Sequence, residues 1–152
     1  MHIATKNSSQ IDISSEKKLE EFAKNLAKNI KKGEIFFLYG EMGVGKTTFL
    51  KYLINKFQKD NKINQTEVTS PTFNIVNEYQ INETKIYHYD LFRLKSIDEV
   101  KNLDLFSDRE RSIIAVEWPQ IIKVKPKNLI EFIFKYEKNY EKRSVEVKGL
   151  DF

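Results

Sequence analysis

The sequence predicts an α/β protein, a three-layer sandwich whose central sheet is mostly parallel and carries one antiparallel hairpin. Helix-period and strand-period apolar patterns alternate along the chain. Two segments, Ile35-Phe36-Phe37-Leu38-Tyr39 and Ser112-Ile113-Ile114-Ala115-Val116, are near-continuous apolar runs, as parallel strands buried on both faces require. Three of the five glycines, Gly40, Gly43 and Gly45, fall within six positions directly after the first of these runs.

The elements follow in order. Leu19, Phe22, Ala23, Leu26, Ala27 and Ile30 recur at i, i+3, i+4, i+7, i+8 and i+11, one face of a helix. Ser14 or Ser15 can cap its start and Gly33 can end it. The strand Ile35–Tyr39 comes next, then the glycine cluster, then a second helix with Phe49, Leu50, Leu53, Ile54 and Phe57 on one side. Phe73–Tyr79 and Lys85–Asp90 read as two strands joined by the polar turn Asn82-Glu83-Thr84, an antiparallel hairpin. Ser96-Ile97-Asp98-Glu99 has capping-box spacing and opens a short helix through Leu103. Ser112–Val116 is a buried strand halted before Pro119, and Leu129–Phe134 and Ser144–Lys148 read as two final strands.

Composition narrows the chemistry. A chain of 152 residues is expected to form one domain, 1–152, and one of this size buries roughly 70% of its unfolded surface. With no cysteine there is no disulfide, thiolate metal ligand or thiol nucleophile. His2 and His88 are too few for a histidine-rich metal site. Apolar runs of five residues or fewer cannot span a bilayer, which takes ~20, and the polar MHIATKNSSQID lacks the apolar stretch of a signal segment. These features predict a soluble, cytoplasmic protein with no membrane partner. The net charge of +4 comes from 26 basic and 22 acidic residues; the basic ones are mostly lysines spread along the whole chain, which reads as a solvated surface.

The chemistry concentrates in Gly40-Glu41-Met42-Gly43-Val44-Gly45-Lys46-Thr47, a full match to G-x-x-x-x-G-K-[ST] between a strand and a helix. Glycines let such a loop curl until several backbone N–H groups point into one nest for phosphate oxygens, and the helix that follows adds its free amides and positive dipole end. Lys46 is placed to bridge β- and γ-phosphates and the Thr47 hydroxyl to ligate magnesium. The predicted architecture is therefore the P-loop NTPase sandwich.

Such a site needs a carboxylate at a neighbouring strand end. Glu117 ends an apolar run that fits a strand beside the loop strand, so it is favoured as the magnesium partner of Thr47. Asp90 ends an alternating segment and would then order the attacking or a metal-bound water, although the two roles are interchangeable on sequence alone. Ser70-Pro71-Thr72, between the loop helix and the next strand, is placed like a switch that senses the γ-phosphate, or is a plain proline turn. His88 lies two positions before Asp90 on the same side of its strand, to orient that carboxylate or to pack. Trp118 reads as packing or as an interaction surface. Of four arginines only Arg93, three residues beyond Asp90, stands where it could assist turnover, so the isolated chain is expected to turn over poorly.

Gly40–Thr48, Ser70-Pro71-Thr72-Phe73 with Val76-Asn77-Glu78-Tyr79, Tyr87-His88-Tyr89-Asp90-Leu91-Phe92-Arg93-Leu94, and Val116-Glu117-Trp118 occur in this order. The set resembles the bacterial tRNA threonylcarbamoyladenosine biosynthesis ATPase family TsaE, also called YjeE, over nearly the whole chain. The resemblance implies a protein that binds ATP and hydrolyses it slowly. Its expected partners are TsaD and TsaB, in a complex that modifies the adenosine beside the anticodon; tRNA is met through the complex. It also implies that Gly43, Val44, Gly45, Lys46, Thr47 and Thr48 hold the phosphates and that Thr47 and Glu117 bind Mg2+. Asp90 is then needed for hydrolysis alongside Lys46, Ser70–Thr72 forms the switch, and the base is met near Ser15. Phe92 stands where the family usually has tyrosine, Pro119-Gln120 follows the tryptophan, and the match after Trp118 is loose.

Two other readings share the loop motif. A small-molecule P-loop kinase pairs the loop with acidic strand ends but generally needs an arginine-rich lid. A GTP-driven switch needs an [NT]-K-x-D base-reading motif, which the sequence lacks.

Overall fold

The computed structural model describes residues 9–150. His2 and the first eight residues of the polar N-terminal stretch lie outside the described residues. Seven strands form one sheet: β1 Ser9–Asp12, β2 Ile35–Tyr39, β3 Val76–Ile81, β4 Thr84–Asp90, β5 Ser112–Glu117, β6 Leu129–Glu137 and β7 Lys142–Lys148. Three α-helices, α1 Glu16–Ala27, α2 Lys46–Asp60 and α3 Ile97–Leu103, and two 3-10 turns, Arg109–Arg111 and Pro119–Ile121, complete the described elements.

The strand order is β1-β7-β6-β2-β5-β4-β3. Its centre, β6-β2-β5-β4, is parallel. Antiparallel pairs finish both edges: β3 on β4 at one, β7 on β6 and β1 on β7 at the other. The expected hairpin is thus matched by a second one, β6–β7. Strand β1 escaped the sequence reading because four polar-apolar residues carry too little alternation to register; it is fixed by pairing with β7, Ile11 opposite Val145.

All six residues of β5 are buried, as its apolar run requires. The period of two then sorts the sheet's side chains. Phe36, Leu38, Ala115, Phe132 and Phe134 join Leu19, Phe22 and Leu26 of α1 and Phe49, Leu50 and Leu53 of α2 in one core. Phe22 and Phe49 stack with ring centres 5.4 Å apart, and burying each such ring contributes about 1.5–3 kcal/mol. Ile35, Phe37, Ile114 and Val116 face the other way, onto Leu91, Leu105 and the partly buried Val100 and Leu103. That second layer is thin: α3 has seven residues, none of them fully buried.

Strand β3 starts at Val76 rather than Phe73. Ile75 takes a left-handed conformation (φ 70°), donates its N–H to the Pro71 carbonyl and accepts from the Asp90 N–H. The Ser70–Ile75 turn therefore closes on itself and leaves Phe73 84% exposed.

Candidate functional site

The three helices begin in different ways. Ser15 caps α1 and accepts from the Lys18 N–H, with Glu16 in the first turn. Ser96 caps α3, with Asp98 and Glu99 in its first turn. Helix α2 starts from Gly45 with no side-chain cap and no acidic residue in its first turn. Its leading amides and positive end are left for an anion.

The loop before it is shaped by contact. A Cβ on Gly40, whose φ is +145°, would lie 2.8 Å from the Phe134 carbonyl oxygen and 2.9 Å from Val44 Cγ1. Only glycine lets the chain leave β2 this close to β6. The loop opens on a cleft of about 280 Å³ lined by Met42, Gly43, Gly45, Lys46, Thr47 and Thr48 from the loop and α2, and by Ser70, Thr72, Asp90, Phe92, Glu117, Trp118 and Arg143.

The two carboxylates face each other across neighbouring strands. Glu117 lies beside Leu38 on β2 and opposite Asp90 on β4, since β5 runs between those strands. Thr47 Oγ1 donates to Glu117 Oε2 over 3.1 Å and lies 3.4 Å from Oε1. The wholly buried His88 sets its Nε2 2.5 Å from the same Oε2, while its Nδ1 finds no partner. The register explains this: His88 pairs with Ala115 and Asp90 with Glu117, so all four share a face and His88 reaches diagonally across the ladder. His88 therefore orients Glu117, and the sequence expectation that it orients Asp90 is corrected.

Asp90 is held from its own side. Its Oδ2 accepts from Ser70 Oγ at 3.0 Å and its Oδ1 from the Phe92 N–H at 3.0 Å. Ser70 also lies 3.0 Å from Thr72 Oγ1, so the Ser70–Thr72 turn is joined to this carboxylate.

Lys46 is almost fully buried. Its ammonium donates to the Gly40 carbonyl at 2.6 Å and sits 3.9 Å from the centre of the Trp118 ring. Burial pushes its pKa down, while the charges of Glu117 and Asp90 pull it back up. Trp118 is left-handed (φ 57°), its N–H donating to the Leu38 carbonyl at 3.3 Å, and its ring meets that of Phe92 with centres 4.8 Å apart. A non-glycine residue held in that region costs about 1–3 kcal/mol, which the surrounding contacts offset.

The structure thus brings Gly43, Gly45, Lys46, Thr47, Thr48, Thr72, Asp90 and Glu117 to one cleft. Val44 is buried beneath the loop, and Ser15 serves as the α1 cap without lining the cleft. Arg93 stacks on the exposed Phe73, 5.4 Å from the ring centre, and does not line the cleft either. Two residues went unread in the sequence. Tyr136 on β6 donates its hydroxyl to the Gly43 carbonyl at 2.9 Å, and Arg143 on β7 donates to the Val44 carbonyl at 3.3 Å. Arginine's scarcity is the only signal that could have drawn attention to Arg143.

The donor set fits a magnesium ion. Thr47 and Glu117 place a hydroxyl and a carboxylate together, and among the described residues no cluster of three or more His, Cys, Asp or Glu could hold a metal alone. Mg2+ usually takes one or two protein ligands and completes its shell with phosphate and water.

A glycine-rich loop, an uncapped helix behind it and two acidic strand ends on a parallel sheet define the class: an α/β fold of the P-loop NTPase type. The solved structure of Bacillus subtilus YdiB shares this fold, with a TM-score of 0.68 at 21% identity over 99% of this chain and 89% of that one. The sequence model of the threonylcarbamoyl adenosine biosynthesis protein TsaE matches residues 13–145, and the chain belongs to that family. The tRNA threonylcarbamoyladenosine biosynthesis protein TsaE of Borreliella burgdorferi is 42% identical over 130 residues, 82% of this chain and 90% of its own length. That of Rickettsia typhi is 39% identical over 111 residues, 73% of this chain and 74% of its own. No helix among the described residues is long and apolar enough to cross a membrane.

Proposed function

We propose that this protein binds ATP with Mg2+ and hydrolyses it slowly in the cytoplasm. In this reading it supports threonylcarbamoyl modification of the adenosine beside the tRNA anticodon in a complex with TsaD and TsaB, and tRNA is contacted through that complex. The observation that carries the reading is one cleft where an uncapped helix start, Lys46, Thr47, Glu117 and Asp90 converge. The loop amides and Lys46 receive the phosphates, and Lys46 exchanges its contacts with Gly40 and Trp118 for phosphate oxygens. Thr47 and Glu117 would hold the metal, and magnesium would supply neutralisation of the phosphate charge there. Asp90, kept in place by Ser70 and the Phe92 amide, orders a water for attack on the γ-phosphorus, releasing ADP and inorganic phosphate.

Phosphate release from ATP tests this, measured on the chain alone and with TsaD, TsaB and tRNA. The expected result is slow release alone that rises with the partners. Fast release alone, or none in any mixture despite tight ATP binding, contradicts it. The kinase alternative predicts instead that ATP is consumed without free phosphate when a small-molecule acceptor is present.

A further inference from the structure

We propose that Trp118 is a gate on Lys46: its ring covers the ammonium and competes with nucleotide phosphate for it. The inference rests on the nucleotide reading above and adds a control on the same site. Lys46 lines the cleft yet is only 4% exposed. A phosphate oxygen therefore reaches its ammonium only after a contact that covers it is given up. The cover has two parts, the Gly40 carbonyl at 2.6 Å and the Trp118 ring at 3.9 Å. Gly40 is packed against Phe134 and Val44 and stays in place. The ring is the part that can swing, because Trp118 is half-buried and backs onto Phe92, itself 51% exposed.

The contact has weight. No carboxylate among the described residues makes an ion pair with Lys46, and Glu117 and Asp90 act on it only through their charge. A buried ammonium without an ion pair leans on whatever faces it. A cation held over a ring is bound more strongly as water is removed, and most strongly by tryptophan.

The backbone takes an unusual form to place that ring. A residue before a proline ordinarily keeps extended angles, yet Trp118 is left-handed at φ 57° directly before Pro119. Strain of this kind collects where a position has a use; here it sets the indole over Lys46. The turn is also held by the Trp118 N–H on the Leu38 carbonyl, a bond that does not involve the side chain, so a substitution removes the ring and spares the turn. A ring that only packed would leave nucleotide affinity unchanged. A gate lowers it, since nucleotide binds only the fraction of molecules in which the ammonium is free.

Calorimetric titration of the full chain with ATP and with ADP, for wild type, Trp118→Phe and Trp118→Leu, tests the gate. Trp118→Leu is expected to bind both nucleotides about tenfold more tightly, the scale of a desolvated cation–π contact. Trp118→Phe, with a weaker ring, should fall between it and wild type. Without nucleotide, Trp118→Leu should melt at a lower temperature, and saturating ATP should close most of that gap. In the wild type, tryptophan emission should change when nucleotide binds, and Lys46→Met should show the same change without nucleotide. Unchanged affinity in Trp118→Leu overturns the proposal. Weaker binding overturns it too, because the ring would then be a contact of the nucleotide. So does an emission that stays constant through a binding event seen by calorimetry. If Trp118→Leu does not fold, Trp118→Phe carries the test through a smaller gain for both nucleotides. A wild-type chain that binds neither nucleotide removes the nucleotide reading itself, whereas the gate alone fails when the wild type binds and the variants bind no better.

Discussion

The two flanks of the Gly40–Thr47 loop are built from different kinds of strand. On the β5–β4 flank, Glu117 and Asp90 end parallel strands in direct register, and His88 and Ser70 each brace one of them. On the β6–β7 flank, Tyr136 and Arg143 come from an antiparallel hairpin and grip the backbone carbonyls of Gly43 and Val44. The first flank presents negative oxygen atoms suited to a metal and a water. The second presents donors suited to the loop's frame. The site is thus polarised across the loop, and chemistry and positioning can be damaged separately.

The largest effects are expected on the carboxylate flank. Asp90→Asn should lower phosphate release about 10²–10³-fold while ATP affinity stays within about threefold, because ordering a water matters in the transition state and little in the ground state. Glu117→Ala should instead remove most of the magnesium dependence of ATP binding. Finding that magnesium dependence is lost in the Asp90 variant and kept in the Glu117 variant would reverse the two roles and break the comparison at its strongest point.

His88→Leu comes next. Loss of the brace on Glu117 Oε2 should raise the magnesium needed for half-maximal nucleotide binding about tenfold, the lower end of what outer-shell partners of metal ligands contribute. Binding without metal should barely change. His88→Gln, which restores a donor near the position of Nε2, should recover part of the loss. Trp118 is the sole tryptophan and lines the cleft, so its fluorescence offers a readout independent of turnover.

On the hairpin flank the expected effect is smaller. Tyr136→Phe removes one hydrogen bond to the Gly43 carbonyl and should cost about 0.5–1.5 kcal/mol of stability by denaturant titration. ATP affinity should fall about threefold and the magnesium dependence should stay intact. A changed magnesium dependence in this variant would show that the two flanks are not separable.

The smallest effect lies away from both. Glu34, at the opposite end of β2, has a buried oxygen without a partner, and burial raises its carboxyl pKa despite the opposing contacts of Lys31. A raised native pKa favours the protonated form, so the ionised group opposes folding at neutral pH and the effect fades as pH falls through the carboxylate range. Glu34→Gln should raise the melting temperature at pH 7 by about one degree, with the advantage shrinking toward pH 4 and nucleotide affinity unaltered.

Much of this site is local, and that part was legible. Gly40–Thr47 declares itself because its amides, glycine angles and helix start all lie within one stretch of chain. Glu117 could be favoured over Asp90 as the neighbour of Thr47 because β5 is apolar throughout, and an apolar strand belongs beside the loop strand; the structure places it there. The short α3 was readable from its capping box, since a cap is made by residues three apart. The partner of His88 could not be read this way. Two positions from Asp90 in sequence, it bonds Glu117 because parallel pairing sets residues 88 and 115 opposite one another.

What the sequence determined alone, then, is whatever its neighbours in the chain suffice to define: the loop, the helix faces, the buried strands and the acids at their ends. What only the tertiary structure decided is which distant residues meet them: β7 behind β6, Arg143 against Val44, Tyr136 against Gly43, and His88 on Glu117. The physical reason is that backbone angles and apolar periodicity are fixed within a few residues. Strand order and register, in contrast, are set by pairing between segments as far apart in sequence as Ser9 and Val147, and no short pattern encodes them.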